Sequence, residues 1–94
     1  MNEKKAYEKK LQARYDEWSA QIDKLKAKSE QVEANAQLEY TRQVKELRAM
    51  QKAAGERLSE LKGASDDAWK DLKAGVDTAW DSLGNALRSA QARF

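Results

Sequence analysis

The chain has 94 residues, 36% of them Asp, Glu, Lys or Arg, with four Gly, no Pro, His or Cys, and a formal net charge of +2. That length allows one small domain, and the composition is that of long helix. Without His or Cys there is no histidine acid–base pair, no cysteine nucleophile, no His-based triad and no zinc site of the usual kind.

The charge is divided almost evenly. Residues 1–62 carry 14 Lys/Arg against 11 Asp/Glu, and residues 63–94 carry 4 against 5. The densest positive cluster, Lys4-Lys5 with Lys9-Lys10, is interleaved with Glu3 and Glu8. This reads as a solvated helix face, and nucleic acid is disfavoured as a partner. No apolar run follows Met1 as in a secretory leader, and none approaches the roughly 20 residues of a membrane span, so the expected compartment is the cytoplasm.

Following apolar side chains at about 100° per residue marks the first element. Tyr7, Leu11, Tyr15, Trp18, Ile22, Leu25, Val32, Ala36, Tyr40, Val44, Leu47, Met50, Ala54, Leu58 and Leu61 fall in one wedge, and a single nearly straight helix over about 3–62 satisfies them all. From Leu11 to Ala36 the spacing alternates four and three like a heptad seam, then relaxes over 36-40-44. Weak left-handed winding is expected before residue 36 and straighter or right-handed packing beyond it. Leu38 points away from the stripe, as a tolerated surface leucine or as part of a second contact surface.

The segment Gly63-Ala64-Ser65-Asp66-Asp67 has the grammar of a break, with Gly63 at C′, Ser65 as N-cap and acidic residues in the next first turn. A break over about 63–65 is predicted, with a second helix over about 66–92. The competing expectation is a bent continuous helix, because Trp69, Leu72, Val76, Trp80, Leu83, Leu87 and Phe94 keep the phase of the first stripe. If the chain breaks, the second helix can fold back on residues near 35–61. Residues 3–34 then lack an intrachain partner and are expected to pair with another copy or another protein.

The second helix contains an 11-residue repeat. Ala68-Trp69-x-x-Leu72-x-x-x-Val76 recurs as Ala79-Trp80-x-x-Leu83-x-x-x-Leu87, with Asp66 and Asp77 in register. Eleven residues span close to three turns, so the repeat returns the same side chains to one face. Ala68, Gly75, Ala79 and Ala86 form a small-residue flank suited to close helix packing. Gly75 and Gly84 each cost about 1 kcal/mol in a helix interior relative to Ala, which a close contact could offset. Trp18, Trp69 and Trp80 read as anchors buried between helices. Membrane insertion is the alternative, disfavoured by Asp66, Asp67, Asp71, Asp77 and Asp81 facing only Lys70, Lys73 and Arg88 on the polar side.

No Gly-x-Ser-x-Gly elbow, P-loop or Gly-x-Gly-x-x-Gly fingerprint is present. Pairs such as Glu30/Glu33 and Asp77/Asp81 read as solvated charge. No catalytic residue, metal ligand or cofactor is expected.

The runs from Ala6 to Leu11, from Glu17 to Ala27 and from Leu58 to Leu72, with the following Gly-Val-Asp-Thr-Ala-Trp80, resemble a widespread family of small bacterial coiled-coil proteins associated with stress responses. The 11-residue repeat is also similar to those of exchangeable apolipoproteins and late-embryogenesis-abundant proteins. The resemblance implies a cytosolic helical protein and carries over no functional residues.

The fold expected is therefore all-α: a long amphipathic helix and a shorter one, as a hairpin or a bent continuous helix, in a coiled-coil-type homo-oligomer, dimer or tetramer. Its packing interface is expected to comprise Leu11, Tyr15, Trp18, Ile22, Leu25, Val32, Tyr40, Val44, Leu47, Leu58, Leu61, Trp69, Leu72, Val76, Trp80, Leu83, Leu87 and Phe94. The function expected is that of a non-enzymatic structural or interaction protein, a scaffold or protective assembly under stress. The alternative is reversible binding of a membrane surface or an unfolded client protein through the amphipathic stripe.

Overall fold

The computed structural model describes residues 3–93, and these form three helices: α1 (Glu3–Ser29), α2 (Ala34–Gly63) and α3 (Ala68–Arg93). The long helix expected over 3–62 is thus two helices, and the expected long-plus-short pair is a three-helix bundle. Phe94 lies outside the described residues.

α1 has Glu3 in its first turn and Lys26 and Lys28 in its last, the charge order that complements the helix dipole. Its buried positions, Leu11, Ile22, Leu25 and Ser29, fall on one seam. The helix ends without Gly or Pro. Ser29, itself buried, donates its hydroxyl to the Lys26 carbonyl at 2.6 Å, and the Gln31 N–H reaches the Lys28 carbonyl at 3.0 Å, tightening the last turn. Glu33 then opens α2 at φ −59° and ψ 152° with no side-chain cap.

Packing explains this break. A straight helix would hold the α1 seam away from the rest of the chain, whereas folding back buries Leu11, Ile22 and Leu25 against α2 and α3. Each such side chain contributes about 1.5–3 kcal/mol on burial. The few helical hydrogen bonds given up contribute only about 0.5–1.5 kcal/mol each. The expectation that residues 3–34 have no partner within the chain is corrected accordingly: α1 packs on both other helices.

α2 buries Val44, Leu47, Gln51, Ala54, Leu58 and Leu61, a strict alternation of three and four. After the 36-40-44 steps of four the heptad alternation therefore resumes from residue 44, and it takes in Gln51 in preference to half-buried Met50. The Gln51 amide oxygen accepts from Arg48 Nη1 at 2.8 Å, so its burial leaves that acceptor satisfied. At the far end the helix includes Gly63 and yields at Ala64, whose backbone is extended (φ −77°, ψ 151°). No described residue has a positive φ, so the left-handed freedom of Gly63 goes unused. The C-terminal carbonyls of α2 are met instead by Lys4, whose ammonium donates to Lys62 O at 3.2 Å and to Ala64 O at 2.6 Å, with Glu8 at 3.7 Å.

Ser65 begins α3. Its Oγ accepts from the Ala68 N–H at 3.2 Å and its carbonyl from the Trp69 N–H at 3.1 Å, which is N-cap geometry. Trp69, Val76, Trp80, Leu83, Leu87 and Ala90 face inward.

The helices run alternately up, down and up in a rod of 51 × 19 × 19 Å. α1 and α3 are parallel, with Tyr7 beside Trp69 near one end and Gln21 beside Gln91 near the other. Their backbones approach each other least closely of the three pairs. Ile22, Leu61, Leu83, Leu87 and Val76 are the largest fully buried side chains.

Candidate functional site

The feature that distinguishes this bundle is an aromatic seam where α1 meets α3. Tyr7 lies against Trp69 with ring centroids 5.8 Å apart, and Tyr15 against Trp80 at 6.2 Å. Both pairs are tilted away from the face-to-face sandwich that aromatic quadrupoles disfavour. The Trp80 indole N–H donates to the Leu11 carbonyl at 3.3 Å, so the buried tryptophan has its one polar atom satisfied.

Two glycines make room for the rings. A Cβ on Gly84 of α3 would stand 3.1 Å from Trp18 Cζ2, and one on Gly55 of α2 would stand 2.9 Å from the Tyr15 hydroxyl. The cost of Gly84 within a helix is thus met by a close contact, as expected. Gly75 faces open space and has no such contact. Ala68 is exposed, while Ala79 and Ala86 are half-buried against the core.

At the Tyr7 end of the seam the Tyr7 hydroxyl is hydrogen-bonded to the Asp77 carboxylate, and Lys73 Nζ sits 5.3 Å from the Tyr7 ring centroid. The Tyr7 phenol titrates well above its ordinary value of 10.0. Burial is the largest cause, followed by the Asp77 hydrogen bond and by the charges of Asp77 and Asp81, all of which disfavour a phenolate. A groove of about 470 Å³ opens beside it, lined by Glu3, Ala6, Tyr7, Lys10, Trp69 and Lys73.

Of the positions singled out as an interface, Leu11, Ile22, Leu25, Val44, Leu47, Leu58, Leu61, Trp69, Val76, Trp80, Leu83 and Leu87 are buried inside the single chain. Tyr15, Trp18 and Leu72 are partly buried against that core. Val32 lies in the turn before α2 and is half-buried, and Tyr40 touches the end of α3 through a 3.4 Å hydrogen bond to the Arg93 carbonyl. Leu38 is 69% exposed and stands apart from the core. Ser29, Gln51, Gly55 and Ala90 also belong to the packed seam, beyond the positions expected from the apolar stripe. Apolar counting passes over Ser and Gln, but the 25-29 and 47-51-54 spacings carry the signal.

The outer surface is polar and crossed by an ion pair and by side-chain hydrogen bonds to glutamine. Arg48 of α2 pairs with Asp23 of α1, Lys62 donates to Gln12 Oε1 at 2.8 Å, and Gln91 donates to Gln21 Oε1 at 3.0 Å. Among the described residues no three carboxylates gather as a metal site would require, and no helix is long and apolar enough to cross a membrane. Compared with protein-family models, curated proteins and solved structures, the chain matches none.

Proposed function

We propose that this chain is a non-enzymatic structural or interaction protein, a self-associating helical module that serves as a scaffold or protective assembly in the cytoplasm. The observation that favours this reading over lipid or client binding is the closed state of the stripe. Trp69 and Trp80, the side chains best suited to enter a lipid surface, are 6% and 2% exposed, and Trp80 is tied by its N–H to Leu11. Offering them to a membrane or an unfolded client requires the aromatic seam to part and the Trp80 hydrogen bond to break. The resemblance of the Leu58 to Leu72 segment to stress-associated coiled coils supports the protective role.

Intrinsic tryptophan fluorescence tests the reading. Neutral and anionic vesicles are expected to leave the emission of the free protein unchanged, because burial is already complete. A blue shift on addition of vesicles, with loss of the Tyr15–Trp80 packing, would replace this reading by lipid or client binding.

A further inference from the structure

The two turns of the bundle are built differently. The α2–α3 turn is written in local chemistry: an extended Ala64, a Ser65 cap and two acidic residues. The α1–α2 turn, Glu30–Glu33, has none of this. It holds no Gly and no Pro, and Glu33 caps α2 without a side-chain hydrogen bond. Its φ of −59° is already helical, so at this residue a rotation of ψ from 152° to about −42° is enough to continue the helix. The Ser29 hydroxyl bond to Lys26 O is a pattern that helices also contain. Residues 22, 25, 29, 32 and 36 keep the three-four seam without interruption across the turn. Local sequence therefore favours one helix over 3–63, and only the docking of α1 onto α2 and α3 holds the turn bent.

We propose that the chain forms a twofold dimer by exchanging α1: the turn straightens, and α1 of each copy packs on α2 and α3 of the other. The two straightened helices, each about 90 Å long at 1.5 Å per residue, run antiparallel and cross at their hinges. Each α1 then meets the same partners as in the closed chain. Trp80 still donates to the Leu11 carbonyl, Trp18 still lies on Gly84, Arg48 still pairs with Asp23, and Lys4 still caps α2, all between copies. The exchange changes only the hinge, which gains helical hydrogen bonds, against the entropy of association, so the dimer is favoured by concentration and closes on itself. This inference rests on the reading of the chain as a self-associating module and says how the association is made.

The absence of Cys allows a direct test. Gln21 and Gln91 touch across the α1–α3 seam, so a Q21C/Q91C chain treated with a short bis-maleimide is linked within one chain when closed and between chains when exchanged. The protein is unfolded in urea, refolded dilute or concentrated, sized by light scattering and then linked. Concentrated refolding is expected to give a dimer that becomes covalent, and dilute refolding a monomer linked internally. Glu33→Pro suits the closed turn at φ −59° but not a helix interior, and is expected to lower the association constant by more than about a hundredfold. Gln31→Gly, gentler on the closed fold, is expected to lower it by about fivefold or more. A dimer whose links all lie within chains, or one indifferent to both hinge variants, overturns the exchange while leaving self-association standing. Monomer at every concentration overturns both.

Discussion

The indole of Trp80 donates to the main-chain carbonyl of Leu11 at 3.3 Å, in the buried interior and 69 positions away along the chain. The bond joins the helix with the strongest apolar face to the one helix that sequence periodicity alone could not place. Trp80→Ala removes both the bond and a large core side chain, and is expected to cost about 3–5 kcal/mol. Trp80→Phe keeps an aromatic partner for Tyr15 and forfeits chiefly the hydrogen bond and some volume, so about 1–2 kcal/mol is expected. Urea titrations with unchanged slope, ordering the midpoints as wild type, Phe and Ala, would bear this out. Equal losses for the two variants would show that the bond dominates the packing.

The glycines separate close contact from open helix. Gly75→Ala meets nothing within 4 Å and is expected to stabilise by about 0.5–1 kcal/mol, the intrinsic preference of a helix interior for Ala. Gly55→Ala puts a methyl 2.9 Å from the Tyr15 hydroxyl, and Gly84→Ala puts one 3.1 Å from the Trp18 ring. The same propensity gain is then offset by displacing an aromatic ring packed at the seam. Thermal or urea melts should rank Gly75→Ala above wild type and Gly55→Ala at or below it.

Helical content, the inward face of α3 and the turn before it could all be read from the residues, because each has a local cause. The repeat keeps Trp69, Val76, Trp80, Leu83 and Leu87 on one side, and Ser65 supplies a cap with its own hydroxyl. The turn at Glu30–Glu33 could not be read so. Its residues have ordinary helix preferences, and Ser29 in the seam registers as a polar gap in an otherwise continuous stripe. What bends the chain there is the burial of Leu11, Ile22 and Leu25 against helices tens of residues away, a tertiary effect that overrides local propensity. The role of Gly55 is non-local in the same way, since it exists only once Tyr15 of α1 lies over it.

Capping should respond oppositely at the two turns. Ser65→Ala deletes the acceptor of the Ala68 N–H and is expected to cost about 1 kcal/mol. At Glu33, where no side chain caps α2, replacement by Asp brings a carboxylate within reach of the first-turn N–H groups, and a gain of about 0.5–1 kcal/mol is expected. Urea midpoints of the two variants, moving down and up respectively, check this. A neutral Ser65→Ala would mean that the α2–α3 turn is held by Lys4 on the Lys62 and Ala64 carbonyls rather than by its own cap.

Tyr7 makes stability depend on alkaline pH. Its phenol titrates near 10.0 when unfolded and above that in the bundle, where burial and the carboxylates of Asp77 and Asp81 oppose the phenolate. Because the folded value is the higher one, the contribution is fully present below pH 10. Above it the unfolded chain ionises first, and stability falls as pH rises toward the folded value. The informative quantity is the difference between wild type and Tyr7→Phe. That difference is expected to be flat from neutral pH to about pH 9 and then to close as the wild type loses its advantage. Asp77→Asn, which removes the carboxylate accepting from Tyr7, should shrink the same alkaline loss. A Tyr7→Phe variant with the same alkaline slope as wild type would assign the loss to other groups.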